Sequence, residues 1–245
     1  MKENKYDDDV FYEKYSHMPR SVGGLSAAGE WYALQKMLPD FKGKRVLDLG
    51  CGFGWHCQYA AEKGAKSVLG IDISEKMLQK AREMNKFVQV SYQCLPIEDI
   101  SFEKESYDVV ISSLAFHYIA SFEMVCKKIA SILAPGGCLI FSTEHPIFTA
   151  QGKQDWYYTE DGTRLHWPVD NYFAEGKRNA VFLGEEVVKY HRTLTTYLNT
   201  LLQNGLCLTS VIEAEPQSEM LEKYSEFRDK MRRPMILLVA AWKPE

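Results

Sequence analysis

The feature that most constrains the fold is a short apolar strand that runs directly into three glycines at alternate positions. Residues 46–54 read VLDLGCGFG, with glycines at Gly50, Gly52 and Gly54. Glycine has no Cβ, so a turn of this kind lets the backbone approach a ligand closely. A tight strand-to-helix turn without a ligand is the alternative. Each glycine adds to the entropic cost of folding, and a simple turn does not need three of them. Their number therefore favours a ligand site.

The spacing of the glycines narrows the identity of the ligand. A dinucleotide fingerprint requires GxGxxG, and Trp55 stands where its third glycine would fall. A phosphate-binding loop requires GK followed by Ser or Thr, and that sequence does not follow here. Asp72 ends the next predicted strand, in GIDIS, 18 residues after Gly54. A carboxylate at this position can accept hydrogen bonds from both hydroxyls of a ribose. The alternatives for Asp72 are a solvated side chain or a helix cap.

Strands and helices alternate along the middle of the chain. The predicted strands RVLDL, KSVLGID, FVQVSYQC, YDVVISS and CLIFSTEH are apolar on both faces and are separated by helical segments. This pattern is typical of a parallel sheet covered by helices on both sides, with a ligand site at the carboxyl edge. LCLTSVIEA and MILLVAAWK add two strands near the end. The sequence therefore predicts an α/β fold with a doubly wound, mostly parallel sheet of seven strands, of which the last runs antiparallel.

Four motifs, in this order, resemble those of the class I S-adenosylmethionine-dependent methyltransferases: VLDLGCGFG, GIDIS, YDVVISSLAFHYI and LAPGGCLIFS. The chain is most similar to the bacterial small-molecule branch (type 11) that includes the quinone C-methyltransferase-like enzymes, closely over residues 44–145. The resemblance implies a Rossmann-like fold, S-adenosyl-L-methionine as cofactor and S-adenosyl-L-homocysteine as product. A nicotinamide-dependent oxidoreductase and a non-catalytic S-adenosylmethionine-binding module are the alternatives. The glycine spacing disfavours the first, and the retained glycines and Asp72 disfavour the second.

The same resemblance implies a role for each matching residue. Asp48 and the glycine-rich loop would face the methionine part of the cofactor, Asp72 would hold the ribose, and Ile73 and Met77 would pack against the adenine. The predicted cofactor-binding residues are Tyr15, Arg20, Asp48, Gly50, Cys51, Gly52, Gly54, Asp72, Ile73, Met77, Cys94, Leu95, Ser113 and Leu114.

The stretch that passes the adenine edge, QCLPIED, departs from the family pattern. Family members often have an acidic residue where this chain has Cys94. A thiol is a poor hydrogen-bond acceptor, so adenine recognition is expected to use the Leu95 amide, Glu98 or Asp99 instead.

Two further regions are assigned to the cofactor. Ser113 and Leu114 follow the fourth strand and would present backbone groups to the amino end of the cofactor. Tyr15 and Arg20, in YSHMPRSVGGL, are predicted to close over it, with the arginine meeting its carboxylate. A surface arm without ligand contact is the alternative for this stretch.

Three histidines are the predicted candidates for a general base. A base is needed only when the nucleophile must lose a proton, as a hydroxyl or an activated carbon would. His117 follows the fourth strand, His145 follows the fifth, and His191 lies in VVKYHRT. A hydrogen-bonded structural histidine is the alternative for each.

The chain divides into four predicted segments. Residues 1–43 form an N-terminal helical arm or cap, and residues 44–145 form the cofactor-binding core. Residues 146–190 form an aromatic insertion with a DG turn at 161–162, which is predicted to be a substrate lid; a minor core or a dimer surface is the alternative. Residues 191–245 complete the core sheet.

Composition restricts the partners. The net charge of −4 and the lack of a long basic run disfavour a nucleic-acid partner. The longest apolar run, MILLVAAW, is too short to span a bilayer. The six cysteines form no CxxC pair, so no metal site is predicted and free thiols in a reducing cytoplasm are expected. The sequence predicts a cytoplasmic monomer or homodimer that methylates a small molecule, at oxygen or carbon rather than nitrogen.

Overall fold

The computed structural model of this chain describes residues 4–216, 218–223 and 226–245. The described residues form eleven strands, numbered here in chain order. They are β1 (Arg45–Leu49), β2 (Ser67–Asp72), β3 (Val90–Cys94), β4 (Tyr107–Ser113), β5 (Leu133–Glu144), β6 (Tyr157–Tyr158), β7 (Arg164–His166), β8 (Gly176–Phe182), β9 (Glu185–His191), β10 (Cys207–Glu213) and β11 (Ile236–Trp242).

Ten α-helices lie within the same described ranges, and short 3₁₀ turns join several of them to the strands. The helices are α1 (Asp9–Ser16), α2 (Pro19–Gly23), α3 (Trp31–Met37), α4 (Trp55–Glu62), α5 (Glu75–Met84), α6 (Phe122–Ile132), α7 (Pro146–Ala150), α8 (Leu194–Gln203), α9 (Ser218–Lys223) and α10 (Glu226–Lys230). In this part of the chain, no helix combines the length and apolar character that crossing a membrane requires.

Seven of the strands form the central sheet, in the order β10-β11-β5-β4-β1-β2-β3. Strands β3, β2, β1, β4 and β5 run parallel, whereas β11 pairs antiparallel with both β5 and β10. The predicted fold is therefore confirmed, including the antiparallel final strand in the interior of the sheet. The carboxyl ends of the five parallel strands lie along one edge.

Both faces of the sheet are buried, as the apolar strands predict. Successive side chains of a strand point to opposite faces, and β1 shows the consequence. Leu47 and Leu49 pack into the core shared with α6 and α8. Val46 packs into the core on the other face, which includes residues of α3, α4 and α5.

The segment between β5 and α8 adds two small hairpins outside the sheet. Strands β6 and β7 pair antiparallel around the predicted turn, where Gly162 has a φ of +82°. Strands β8 and β9 also pair antiparallel. Phe11 of α1 packs with Ala180 and Val187 of this second hairpin, so the N-terminal helix and the insertion share a small core.

Two helices differ from the sequence expectation. A helix over residues 26–38 is predicted, but α3 begins only at Trp31, because Ala28 adopts an extended conformation after a 3₁₀ turn. The single helix expected over 216–231 is described as α9 and α10; residues 217, 224 and 225 of that prediction lie outside the described residues.

Two glycines with the same φ provide a test of how tightly the glycine-rich loop after β1 is packed. Gly50 and Gly43 both have a φ of +74°, but a Cβ on Gly50 would lie 2.5 Å from Cβ of Ala115, whereas one on Gly43 would meet nothing within 4 Å. We expect Gly43→Ala to lose about 1–2 kcal/mol from backbone strain alone. Gly50→Ala should lose about 1–3 kcal/mol more from the overlap.

Thermal unfolding measures the difference, at about 2–4 °C per kcal/mol for a chain of this size. Equal melting temperatures for the two variants would contradict the close approach of Gly50 to Ala115.

Candidate active site

A cavity of about 530 Å³ lies at the carboxyl edge of the parallel strands. It is bounded by the loops that follow β1, β2, β4 and β5, and it is covered by the N-terminal segment and by the insertion. Its walls include Tyr6, Tyr15, Arg20, Gly50, Cys51, Gly52, Asp72, Ile73, Met77, Glu98, Ser113, Leu114, His117, Tyr118, Glu144, Phe148 and Phe182.

The glycine-rich loop after β1 is fixed to the end of β2. The backbone N–H groups of Gly50 and Cys51 both donate to the carbonyl of Ile71, each at 2.9 Å. Gly52 N donates to Oδ2 of Asp72, also at 2.9 Å. Gly50, Gly52 and Cys51, three of the predicted cofactor-binding residues, line the cavity. The loop therefore presents backbone rather than side chains to a ligand.

Asp72 lies in the cavity wall with both carboxylate oxygens already oriented. Oδ2 accepts from Gly52 N and Oδ1 accepts from Ser74 N, both at 2.9 Å. Burial raises the pKa of Asp72, although these backbone hydrogen bonds oppose the rise. A carboxylate has about four lone-pair sites, so each oxygen can accept one further hydrogen bond, as a ribose diol requires.

On the predicted adenine side, some of the predicted residues line the cavity and others do not. Ile73 and Met77, the residues predicted to pack against the adenine, line the cavity, and Glu98 lines it as well. The Cys94 thiol instead donates to the carbonyl of Ile73 at 3.5 Å, outside the cavity wall. The Leu95 amide already donates to the carbonyl of Asp72 at 2.9 Å, so it is not free for an adenine. Glu98 is the acidic side chain of this stretch that the structure brings to the cavity.

Asp48 and Gly54 lie behind the loop rather than in the cavity wall. Asp48 is 1% exposed, and its Oδ2 accepts a hydrogen bond from the Cys57 thiol at 3.3 Å. Burial raises the pKa of Asp48 to about 7. A Cβ on Gly54 would lie 2.3 Å from the Tyr92 hydroxyl oxygen. Both residues support the loop from beneath.

Tyr15 and Arg20 reach the cavity from the N-terminal segment, which disfavours the alternative of a surface arm. Arg20 Nη2 donates to Oε1 of Glu30 at 2.8 Å, and Glu30 is only 3% exposed. A guanidinium has five N–H donors, so the pairing with Glu30 fixes Arg20 and leaves donors for an anionic group.

The sequence does not reveal how the N-terminal segment is tied across the cavity. Asp7 Oδ1 accepts from Ser74 Oγ at 2.5 Å and from Lys76 N at 3.2 Å. The Tyr6 and Tyr118 hydroxyls lie 3.2 Å apart. In sequence, Asp7 is one of three consecutive aspartates with no pattern that would indicate a contact with α5.

His117 is the predicted histidine that lines the cavity. The backbone N–H of Glu144 donates to Nδ1 of His117 at 3.4 Å. Since Nδ1 accepts, the neutral ring carries its proton on Nε2, which lies 3.9 Å from Oε1 of Glu144. Burial lowers the pKa of His117 to about 4, so the ring is neutral near pH 7.

Glu144, at the end of β5, was not among the predicted site residues. Its Oε1 accepts from Lys189 Nζ at 2.6 Å, and its Oε2 accepts from Gln154 Nε2 at 2.8 Å. Burial raises the pKa of Glu144, but His117, Lys189 and these hydrogen bonds outweigh burial, so the pKa lies below its ordinary value. The cavity therefore has an ionised carboxylate beside a neutral imidazole.

The structure does not bring His145 and His191 to the cavity. His145 Nδ1 accepts from Ile147 N at 3.1 Å and caps α7, while its Nε2 lies 2.8 Å from Oε1 of Glu213. His191 is fully buried: Nδ1 lies 2.8 Å from Thr149 Oγ1, and Nε2 lies 2.8 Å from the carbonyl of Tyr172. Both rings are engaged on two sides within the protein, which is the structural alternative. Neither ring therefore lines the cavity, where the predicted general base would have to act.

The described residues contain no group of three or more His, Cys, Asp or Glu side chains arranged to hold a metal ion. All six cysteines are free thiols.

The sheet order, the glycine-rich loop and the carboxylate at the end of β2 together define the architecture of a class I methyltransferase. A family model, the methyltransferase domain, matches residues 47–141. A solved structure from Listeria monocytogenes, assigned to the S-adenosylmethionine-dependent methyltransferases, is 59% identical, with a TM-score of 0.86, and the alignment covers 91% of this chain and 100% of that one. An S-adenosylmethionine-dependent methyltransferase from Mesorhizobium loti is 41% identical, with a TM-score of 0.84, over 90% of this chain and 100% of that one.

The chain therefore belongs to the S-adenosylmethionine-dependent methyltransferases: it is an enzyme whose cofactor is S-adenosylmethionine. A more distant relative is the ubiquinone biosynthesis O-methyltransferase of Neisseria meningitidis serogroup C, 35% identical over 108 residues. That alignment covers 42% of this chain and spans only 45% of the Neisseria enzyme.

The carboxylate of Asp72 provides a direct test of cofactor placement. We expect Asp72→Asn to weaken S-adenosylmethionine binding at least tenfold, about 1.4 kcal/mol, because an amide offers one acceptor oxygen where the carboxylate offers two. Isothermal titration calorimetry measures the affinity, and the melting temperature without ligand reports any change in the loop.

Asp40→Asn is the matched control. Asp40 is exposed and accepts one backbone hydrogen bond, from Lys42 N, away from the cavity. Equal affinities for the two variants would place the ribose elsewhere.

Proposed function

We propose that this enzyme transfers the methyl group of S-adenosylmethionine to an oxygen or carbon nucleophile of a small molecule. The observation that carries the proposal is the buried pair of Glu144 and His117, which faces the same cavity as the glycine-rich loop and Asp72. A carboxylate held ionised beside a neutral imidazole suits a nucleophile that must lose a proton.

The residues of the cavity fit the cofactor. Asp72 would hold the ribose hydroxyls, and the side chains of Ile73 and Met77 would pack against the adenine, with Glu98 accepting from its amine. Arg20 and the backbone around Ser113 and Leu114 would meet the amino-acid end. When bound, the sulfonium makes the methyl carbon electrophilic, so the protein has to position the nucleophile in line and exclude water.

Glu144 and His117 would have different roles in the proton transfer from the nucleophile. The 3.9 Å between His117 Nε2 and Glu144 Oε1 leaves room for a hydroxyl that accepts from Nε2–H and donates to the carboxylate. His117 then orients the nucleophile and Glu144 takes its proton. This assignment changes the role predicted for His117, because its lone pair at Nδ1 is already engaged with the Glu144 amide.

Lys189 would favour the ionised form of the Glu144 carboxylate. Lys189 is 2% exposed, and its Nζ donates to Glu144 Oε1 at 2.6 Å. A buried charge is strongly destabilising unless it is paired, and the contact with Lys189 lowers the pKa of Glu144.

The size and lining of the cavity support a small acceptor. A volume of about 530 Å³ lies in the range of sites for cofactors and drug-sized ligands. Phe148 and Phe182 come from the segment 146–190, which we propose acts as the substrate lid over the core of residues 44–145. The N-terminal segment 1–43 would close the cofactor side, and residues 191–245 would complete the sheet.

The partial likeness to the ubiquinone biosynthesis O-methyltransferase favours an oxygen acceptor. Six free thiols suit the reducing cytoplasm, where we place the enzyme as a monomer or homodimer.

Replacing Glu144 tests the proton transfer. We expect Glu144→Gln to lower kcat about 10²–10⁴-fold, the usual contribution of a general base, with S-adenosylmethionine affinity unchanged within about twofold. Glu213→Gln is the matched control, because Glu213 is also a carboxylate paired with a histidine at a strand end, but outside the cavity. It should retain full turnover.

The pH dependence of kcat tests the ionisation state of Glu144. Since the pKa of Glu144 lies below its ordinary value, the carboxylate is ionised near neutral pH, and turnover should stay constant from about pH 6 to 8 and fall only as the carboxyl group protonates. A loss of turnover centred near pH 6.5 would contradict the ionised carboxylate, because the pKa values of both Glu144 and His117 lie below that range.

Turnover itself is tested with S-adenosylmethionine labelled in the methyl group and a panel of small phenols, hydroxy acids and activated carbon acceptors. Transfer of label to a member of the panel supports the proposal. Transfer only to RNA or protein would contradict it.

A further inference from the structure

A second cavity, of about 340 Å³, lies beside the first and has no role in the site described above. Its walls are unusual in combining tryptophans and arginines: Trp156, Trp167, Arg232 and Arg233 line it, with His166 at its side. We call it the Arg233 pocket. The insertion contributes one wall and the link between α10 and β11 contributes the other.

The Arg233 pocket is built by contacts between distant parts of the chain. Arg164, on the hairpin of β6 and β7, pairs with Asp229 of α10. Arg232 Nη1 donates to Asp229 Oδ1 at 3.1 Å, and the Arg232 guanidinium also donates to the carbonyls of Leu165 and Arg164. Arg164, beside the pocket, and Arg232, in its wall, are thus both paired with a carboxylate, and Arg232 also with backbone carbonyls.

Arg233 is the exception. Its guanidinium carbon lies 4.0 Å from the ring centre of Trp167, 4.7 Å from that of Phe148 and 5.3 Å from that of Trp156. Its Nε and Nη1 are buried, yet no hydrogen-bond acceptor for them exists among the residues the structure describes. Buried donors of a charged group without an acceptor are strongly unfavourable.

Stacking explains part of this arrangement but not all of it. The aromatic rings contact the faces of the guanidinium through cation–π interactions, whereas Nε–H and Nη1–H point in the plane of the group. A guanidinium forms a fork when Nη2 acts together with either Nε or Nη1, and such a fork matches the two oxygens of a carboxylate or phosphate. Burial lowers the pKa of Arg233 to about 10, which leaves it charged at neutral pH.

The wall between the Arg233 pocket and the main cavity consists of Phe148 and the side chains that contact it. Phe148 lines the main cavity, and its ring is stacked on Trp167 of the Arg233 pocket, with ring centres 5.0 Å apart and planes 10° apart. Pro234 lines the Arg233 pocket, while the next residue, Met235, lines the main cavity. A ligand in the main cavity therefore lies directly across Phe148 from Arg233.

We propose that the Arg233 pocket binds the anionic group, a carboxylate or a phosphate, of the methyl acceptor, whose nucleophile lies in the main cavity. The proposal rests on the proposed function for the identity of the ligand as acceptor. Arg233 supplies the in-plane donors, and Trp156 and Trp167 supply aromatic surface for the part of the acceptor next to the anion. Phe148 has to turn aside for the acceptor to reach both cavities.

Binding can be measured without any turnover, which separates this proposal from the proposed function. Benzoate and phenyl phosphate are the charged probes, benzamide is the neutral counterpart, and quenching of tryptophan fluorescence is the signal. We expect at least one of the two acids to bind at least tenfold more tightly than benzamide. If neither acid does so, the proposal is overturned.

Arg233→Gln should remove this preference, with at least a tenfold loss of affinity for the acid, and Arg233→Lys should fall between it and the parent because an ammonium lacks the fork. Arg228→Gln, at an exposed arginine of α10 outside both cavities, is the matched control and should bind normally. S-adenosylmethionine affinity and melting temperature should be unchanged in Arg233→Lys. An acid that binds equally well to Arg233→Gln overturns the proposal.

Kinetics then test the link to the acceptor. For an acidic acceptor identified by methyl transfer, Arg233→Lys should raise KM at least threefold and leave kcat within about twofold, since the anion lies away from the reacting atoms. An unchanged KM would overturn the assignment of the pocket to the acceptor. Absence of methyl transfer to every small acceptor, with acid binding intact, would instead contradict the proposed function alone.

Discussion

The geometry of the site depends on the short set of hydrogen bonds that joins the glycine-rich loop to the end of the neighbouring strand. Gly50, Cys51 and Gly52 each direct a backbone N–H toward the end of β2, the first two to the carbonyl of Ile71 and the third to the carboxylate of Asp72. These bonds place the Asp72 carboxylate, which we propose holds the ribose, and the open backbone in one wall. They require a positive φ at Gly50 and Gly52, and a Cβ on Gly50 would lie 2.5 Å from Cβ of Ala115, which is why glycine occupies these positions.

A second constraint is the burial of charge at the end of β5. Glu144 and Lys189 form an ion pair in which the Lys189 side chain is 3% exposed and the Glu144 side chain 16%, and Gln154 contacts both of them. The pair keeps the carboxylate ionised, while burial keeps His117 neutral. An ionised carboxylate and a neutral N–H donor within hydrogen-bonding range of a common point suit proton transfer from a nucleophile. The insertion, which contributes Lys189, therefore completes the site as well as covering it.

The sequence predicted the parts of this arrangement that are encoded locally. The glycine spacing, the strand ends and Asp72 lie within single strand-to-loop units, and the parallel order of strands follows from the alternation of elements. Contacts made across long separations were not predictable. Lys189 reaches Glu144 from 45 residues away, and Asp7 reaches Ser74 from 67 residues away. Similarly, His145 and His191 are close to strand ends in sequence, but their ring nitrogens are turned toward Ile147, Glu213, Thr149 and Tyr172.

The central claim is that one cavity holds the cofactor at the glycine-rich loop and directs its sulfur toward Glu144 and His117. A crystal structure with S-adenosylhomocysteine measures this directly. We predict both ribose hydroxyls within hydrogen-bonding distance of the Asp72 carboxylate and the sulfur on the side of the cavity bounded by Glu144 and His117. A ribose held by other residues, or a sulfur that faces away from this pair, would contradict the account.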